Sequence, residues 1–170
     1  MKHKFLLIYT WFVRLCFIFF PDQPIIMRIR GFFYSFGMKK CGRNFQVSSS
    51  VILRNLEKIS VGNNVYLAPN VIVNAVTDVF FSHEVMVGFN SVIVSGNHSF
   101  LDNSFRFGTS ISSPIMIGSG SWIGANCTVV AGANVPSCSL VAANSCFTGQ
   151  HTEEGIYGGV PSKFLKRILK

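Results

Sequence analysis

The chain has 170 residues, of which 49% are apolar and only 13% charged, and its formal net charge is +8. This length fits one domain with terminal segments, and the Lys and Arg residues crowd its two ends while the middle is nearly uncharged. A nucleic-acid binder carries a distributed basic face and aromatic-basic recognition motifs, and neither is present, so nucleic acid is excluded as a partner. Five cysteines without paired close spacing point to a reducing compartment and free thiols.

From Phe5 to Phe20 the sequence FLLIYTWFVRLCFIFF is apolar almost throughout, with Arg14 in its middle and Lys2 and Lys4 ahead. It is shorter than the roughly 20 residues that span a bilayer. Pro21-Asp22-Gln23-Pro24 follows instead of a small-residue cleavage site, which argues against a secreted precursor. The next stretch, IIMRIRGFFYSFGMKK, mixes Arg28, Arg30, Lys39 and Lys40 with aromatics. Residues 1–44 are therefore expected to form an apolar and basic helical segment. Through residues 5–40 it suits the interface of an anionic membrane, and the same helices also suit a cap over the open end of the fold that follows. The expected location is the cytoplasm, peripheral on the inner face of the cell membrane.

Residues 45–150 carry a short period. Val47 to Ile59 reads as a degenerate first coil; Val61, Leu67 and Val73 keep a beat of six; Phe81, Val87 and Ile93 resume it after two extra residues. The beat is strictest at Ile117, Ile123, Val129, Val135, Val141 and Phe147, where six apolar residues in one phase would arise by chance about once in seventy. Small residues recur in step, at Ser121, Cys127, Ala133, Ser139 and Ser145. A fixed short period of this kind is the signature of a β-solenoid, in which each hexad supplies one short strand and a corner. The branched residue points inward, the small one lets the backbone turn, and Gly and Asn accept the corner conformations. Three hexads close a triangular coil, and coils repeat at roughly 4.8 Å. Cys127 falls on a small-residue position, so packing is its expected role.

The beat lapses over residues 96–114, an excursion from the prism, and loops that interrupt repeats are where function concentrates. His98 opens it. An imidazole titrates near neutrality and suits a general base at a coil edge beside a loop able to cover a substrate. Zinc needs several His or Cys ligands at compatible positions, and His83 is the one other histidine in the neighbouring coils, so no metal site is expected. Nucleophile-elbow and phosphate-loop motifs are absent. After Phe147, residues 151–170 read as a basic tail ending in a short helix, VPSKFLKRILK.

The run PIMIGSGSWIGANCTVVAGANV and the tail GGVPSKFLKRI resemble the hexapeptide-repeat acyltransferases, in particular the maltose and galactoside O-acetyltransferase branch and its polysaccharide-modifying relatives. The resemblance covers about residues 45–170. It implies an all-β, left-handed parallel β-helix, a homotrimer, and acetyl transfer from acetyl-CoA to a saccharide acceptor. It implies His98 as the catalytic base, and Trp122, Gly124 and Ala125 beside the pantetheine arm. Ala143 and Thr148 follow along the same groove, and Lys163, Lys166 and Arg167 meet the phosphates and adenine end of CoA, a role that suits cationic side chains. The family's Asn-Phe-Asn run aligns with Ala68-Pro69-Asn70, which leaves Asn70 to hydrogen-bond an acceptor. Ser99 stands where many relatives have Asp; Asp102 and Glu84 are nearby carboxylates for orienting the imidazole. Phe100, Phe105 and Phe107 suit either a sugar face or a trimer interface. The small-sugar enzymes' N-terminal substrate segment is not recognisable, which shifts the expected acceptor toward a cell-surface polysaccharide or its precursor. N-acetyl transfer to an amino-sugar nucleotide or an antibiotic is the alternative on the same fold. A non-catalytic solenoid or a γ-carbonic-anhydrase-like trimer stands further off, since the latter needs three histidines per zinc.

Overall fold

The computed structural model describes residues 2–168; Met1, Leu169 and Lys170, at the ends of the expected N-terminal segment and basic tail, lie outside the described residues. Two helices, α1 (Lys2–Phe17) and α2 (Pro24–Ser35), precede a parallel β-helix of three faces. The first face stacks strands Lys40–Cys41, Ile59–Val61, Val79–Phe81, Ile115–Ile117 and Asn134–Val135. The second stacks Gln46–Val47, Tyr66–Leu67, Met86–Val87, Trp122–Ile123, Leu140–Val141 and Ile156–Gly159. The third stacks Ile52–Arg54, Ile72–Asn74, Val92–Val94, Thr128–Val130 and Cys146–Phe147. One strand per face makes a coil, so five full coils form.

The stride between coils is not uniform. Ile59 pairs with Val79 and Ile72 with Ile52, a stride of 20, whereas Trp122 pairs with Leu140 and Thr128 with Cys146, a stride of 18. The two extra residues lie in the third corner, as a short 3-10 turn at Leu56–Lys58 and again at 75–78. The stretch before Val61 is thus not a degenerate coil. It starts at Lys40, and Gln46 on Tyr66 and Ile52 on Ile72 hold the full register.

All six residues of the C-terminal beat are completely buried, and Val47, Leu67, Val87, Ile123 and Val141 stack through the second face. The small residues are buried too, but clearance at the turn does not explain them. Val51, Val65, Val71 and Val85 occupy the equivalent positions in the earlier coils and are equally buried. The later serines instead bridge coils: Ser91 Oγ donates to the Gly124 carbonyl (2.8 Å), and Ser121 Oγ to that of Pro136 (2.7 Å). Each hydroxyl also accepts a backbone amide, from Cys127 and Ser139 respectively. Burial pushes the Cys127 thiol pKa up despite amide hydrogen bonds that pull it down, in keeping with a packing role. Corners are built on left-handed residues stacked in columns. Asn44, Asn64, Glu84, Gly120 and Cys138 form one column between the first and second faces, and Asn70, Asn90, Asn126 and Asn144 another between the second and third.

The tail departs from the sequence expectation. Ser162–Lys166 is a strand, antiparallel to Ile156–Gly159, and not a helix. Gly158-Gly159-Val160-Pro161 turns the chain back on itself, and pairing with the last strand of the second face wins over helix propensity.

At the other end the helices close the prism. Arg30 on α2 is fully buried; its guanidinium donates to the carbonyls of Val47, Phe17 and Phe20 and pairs with Asp22 at 3.1 Å. Asp22 in turn accepts from Ser48 Oγ and the Ser49 amide. This knot ties the end of α1, the start of α2 and the first coil together.

Candidate active site

The residues singled out in the sequence fall at two corners of the prism. Trp122 lies on the second face, and Gly124, Ala125 and Ala143 at the corner where that face meets the third. Gly124 is buried, its amide donates to the Val141 carbonyl, and a β-carbon there would sit 2.7 Å from that oxygen. Coil contact therefore requires glycine at this position. The amides of Ala125 and Ala143 occupy equivalent places in adjacent coils, and among the described residues neither donates to a protein acceptor. Asn70 belongs to the same corner. Its backbone is left-handed, and its side chain donates to Asn90 Oδ1 at 3.0 Å.

His98 and Thr148 lie at the corner between the third and first faces. The excursion is a β-hairpin in which Gly96–His98 pairs with Ser110–Ser112. Gly96 sits against Val76, where a β-carbon would be 2.6 Å from a Val76 methyl, so the hairpin leaves the prism over the 75–78 corner. His98 is exposed, and among the described residues no side chain hydrogen-bonds its imidazole; neither Glu84, in a corner column, nor Asp102, in the hairpin turn, orients it. The Phe100 and Phe105 rings meet tilted at 4.9 Å, and with Phe107 they are well exposed. Thr148 follows the last strand of the third face, and its carbonyl meets His151 Nε2 at 3.0 Å.

The basic residues of the tail sort differently from a helical arrangement. Lys163 pairs with Gly158 and Lys166 with Ile156, across a bulge at Leu165. Gly158 and Ile156 are two apart on one strand, so both lysines project from the same outward face. Arg167 instead pairs with Glu153 at 3.1 Å.

The sequence reading missed what joins these parts. Tyr66, Met86, Trp122, Leu140 and Ile156 stand in register along the outside of the second face, each just before an inward residue. Large apolar side chains at outward solenoid positions are the signal that marks them. Tyr66, Met86, Phe89, Trp122 and Ala125 line a cleft of about 180 Å³, and the apolar ladder ends beside Lys166 and Lys163. Among the described residues no group of three or more His, Cys, Asp or Glu converges as a metal site would require.

No family profile matches the chain. It is 28% identical over 124 residues to WbbJ of Escherichia coli K12, a protein provisionally named a lipopolysaccharide biosynthesis O-acetyl transferase; the match covers 73% of this chain and 58% of that one. It is 26% identical over 137 residues to the galactoside O-acetyltransferase of the same organism, covering 80% of this chain and 58% of that one. A hexapeptide-repeat acetyltransferase from Vibrio cholerae, solved with acetyl coenzyme A, superposes with a TM-score of 0.84 at 20% identity, over 98% of this chain and 89% of that one. The chain resembles the hexapeptide-repeat acyltransferases in sequence and shares their fold. Its prism is accordingly the left-handed parallel β-helix of that fold. The chain spans a little over half the length of the curated relatives it matches.

Proposed function

We propose that the chain is an acetyl-CoA-dependent O-acetyltransferase acting on a sugar hydroxyl of a cell-surface polysaccharide or its precursor, at the cytoplasmic face of the membrane. The observation that carries this reading is the ladder Tyr66–Met86–Trp122–Leu140–Ile156, with two unpaired corner amides beside it and two lysines at its end. An extended, mostly apolar arm with amide groups and a phosphorylated end fits that surface. The pantetheine lies along the ladder, its amide carbonyls accept from Ala125 and Ala143, and the phosphates meet Lys163 and Lys166. Gly124 keeps the wall flat.

His98 and Thr148 lie at another corner of the same prism, which supports a threefold assembly. In it the hairpin corner of one chain faces the ladder corner of the next, and the exposed Phe100, Phe105 and Phe107 are covered. The acceptor hydroxyl then attacks the thioester carbonyl carbon. The C–O bond forms, His98 takes the hydroxyl proton, the C–S bond breaks, and the imidazolium returns the proton to the departing sulfur. Asn70 keeps its side-chain amide on Asn90 and offers Oδ1 to the acceptor.

Replacing His98 by Ala is expected to lower turnover by roughly 10²–10⁴-fold, read as CoA thiol release with a panel of bacterial oligosaccharides. Near-wild-type turnover would remove the general-base role. O-transfer is preferred to N-transfer because the sequence relatives WbbJ and galactoside O-acetyltransferase carry O-acetyl transfer in their names. An amide product in the same panel would reverse that preference.

A further inference from the structure

The helical cap buries one side and leaves the other apolar. Leu6, Val13, Met27 and Tyr34 face the prism. Phe5, Ile8, Trp11, Phe12, Leu15 and Phe19 of α1 and its end, at three- and four-residue spacing, face outward. Ile25, Ile29, Phe32 and Phe36 continue the surface on α2, and Phe19 is 90% exposed. Phe17 packs on Phe33 at 5.4 Å and joins the two helices, and Phe32 packs on Phe36 at 4.8 Å at the end of α2, so the surface is continuous. A soluble protein rarely leaves so large an apolar face uncovered without a partner.

Charge identifies that partner. Residues 1–44 hold eight of the fifteen Lys and Arg and one of the seven Asp and Glu, and that one, Asp22, is engaged by Arg30. At the rim of the apolar surface an open cleft of about 620 Å³ is lined by Arg28 and Arg43 with Phe32 and Ser35. No helix among the described residues is long and apolar enough to cross a membrane, and the 16 residues of α1 reach about 24 Å, short of a hydrocarbon core of about 30 Å. A broad apolar face, a basic rim and helices too short to span are the properties of an interfacial anchor.

We propose that the outward face of α1 and α2 docks on an anionic bilayer. Phe12, Phe19 and Phe32 enter the interface, and Arg28 and Arg43 take headgroup phosphates in the cleft beside them. The helices cap one end of the prism, so the β-helix stands end-on to the membrane. In a parallel trimer three such faces share one plane and bind with avidity. That multiplication rests on the threefold reading above; the docking does not.

The test uses the full chain with vesicles of phosphatidylcholine alone or mixed with phosphatidylglycerol. Co-sedimentation is expected with the anionic vesicles and not with the neutral ones. The anionic vesicles should also blue-shift tryptophan emission, an effect lost in Trp11→Phe. Phe12→Glu combined with Phe19→Glu should weaken vesicle binding by about tenfold or more while leaving the melting temperature unchanged. If that variant fails to fold, Arg28→Glu and the Trp11 signal carry the test. Absence of wild-type binding to anionic vesicles would overturn the proposal, as would undiminished binding by the double variant. End-to-end pairing of wild-type particles that the double variant splits, with no vesicle binding, would assign the face to a second copy instead. A monomer in sedimentation that still binds vesicles would overturn the trimer and leave the membrane face standing.

Discussion

Gly124 shows how tightly one residue can be held by its coil. A methyl group there would press on the backbone of the next coil, at the Val141 carbonyl and the Ala143 amide. Neither atom belongs to a flexible side chain, so relief requires moving a strand. Gly124→Ala is therefore expected to cost about 1–3 kcal/mol in chemical denaturation. A neutral result would mean that the corner has slack the stacking does not suggest. Asn70 illustrates the opposite problem. The sequence offers it as an acceptor ligand, and the structure gives it a second role as a left-handed corner residue that donates to Asn90. Asn is favoured at such corners for its tolerance of positive φ, so its presence alone says little about chemistry.

Among the elements, the solenoid strands are the most legible in the sequence, because each hexad encodes its own inward residue and the beat runs in three stretches, Val61 to Val73, Phe81 to Ile93 and Ile117 to Phe147. Stacking order was harder to see. The 20-residue stride of the early coils hides two residues in a corner, which made the coil from Lys40 look degenerate when it is in full register. The tail was misread because Ser162–Lys166 has helix-forming residues, while the pairing that makes it a strand depends on the distant Ile156–Gly159. Lys163 and Lys166 were identifiable as cations, but their shared face depends on a bulge that no local pattern announces.

The helical cap makes its own prediction at this scale. Burial raises the Asp22 carboxyl's pKa, but hydrogen bonds from Ser48 and Ser49 and the Arg30 charge outweigh it, so the net shift is downward. A lowered folded value means the stabilisation is complete above the unfolded pKa, near 3.8, and is lost as pH falls through the lower folded one. Melting curves of wild type and Asp22→Asn should differ at about pH 6 and converge toward about pH 2. A gap that persists in acid would show that the carboxylate charge is not what matters. Arg30→Met should be harsher, about 3 kcal/mol, because it leaves a partly buried carboxylate and three carbonyls without their donor.

For the whole molecule, the separation of His98 from the Trp122 ladder is the decisive arrangement. Sequence order puts them only one coil apart, yet the excursion leaves one corner and the ladder runs along another. In the proposed threefold assembly, one chain alone holds half a site. Mixing inactive His98→Ala chains with inactive Lys163→Ala, Lys166→Ala chains during assembly should therefore restore activity, since some interfaces pair an intact histidine with an intact donor surface. Mixtures as inactive as their parents would place both halves of the site within one chain or elsewhere. The distribution of charge belongs to this scale as well: the basic helical end of the prism lies apart from His98 and the Trp122 ladder, so the proposed membrane docking and the proposed acetyl transfer should respond to different substitutions.

The measurement that bears most directly on the central claim is calorimetric titration of the purified protein with acetyl-CoA, alongside Lys163→Ala. Saturable binding in the micromolar range that weakens in the variant is the expected result if Lys163, at the end of the ladder, meets the donor's phosphates as proposed. Absence of binding at millimolar acetyl-CoA would contradict it, and would leave the ladder as a surface for some other ligand.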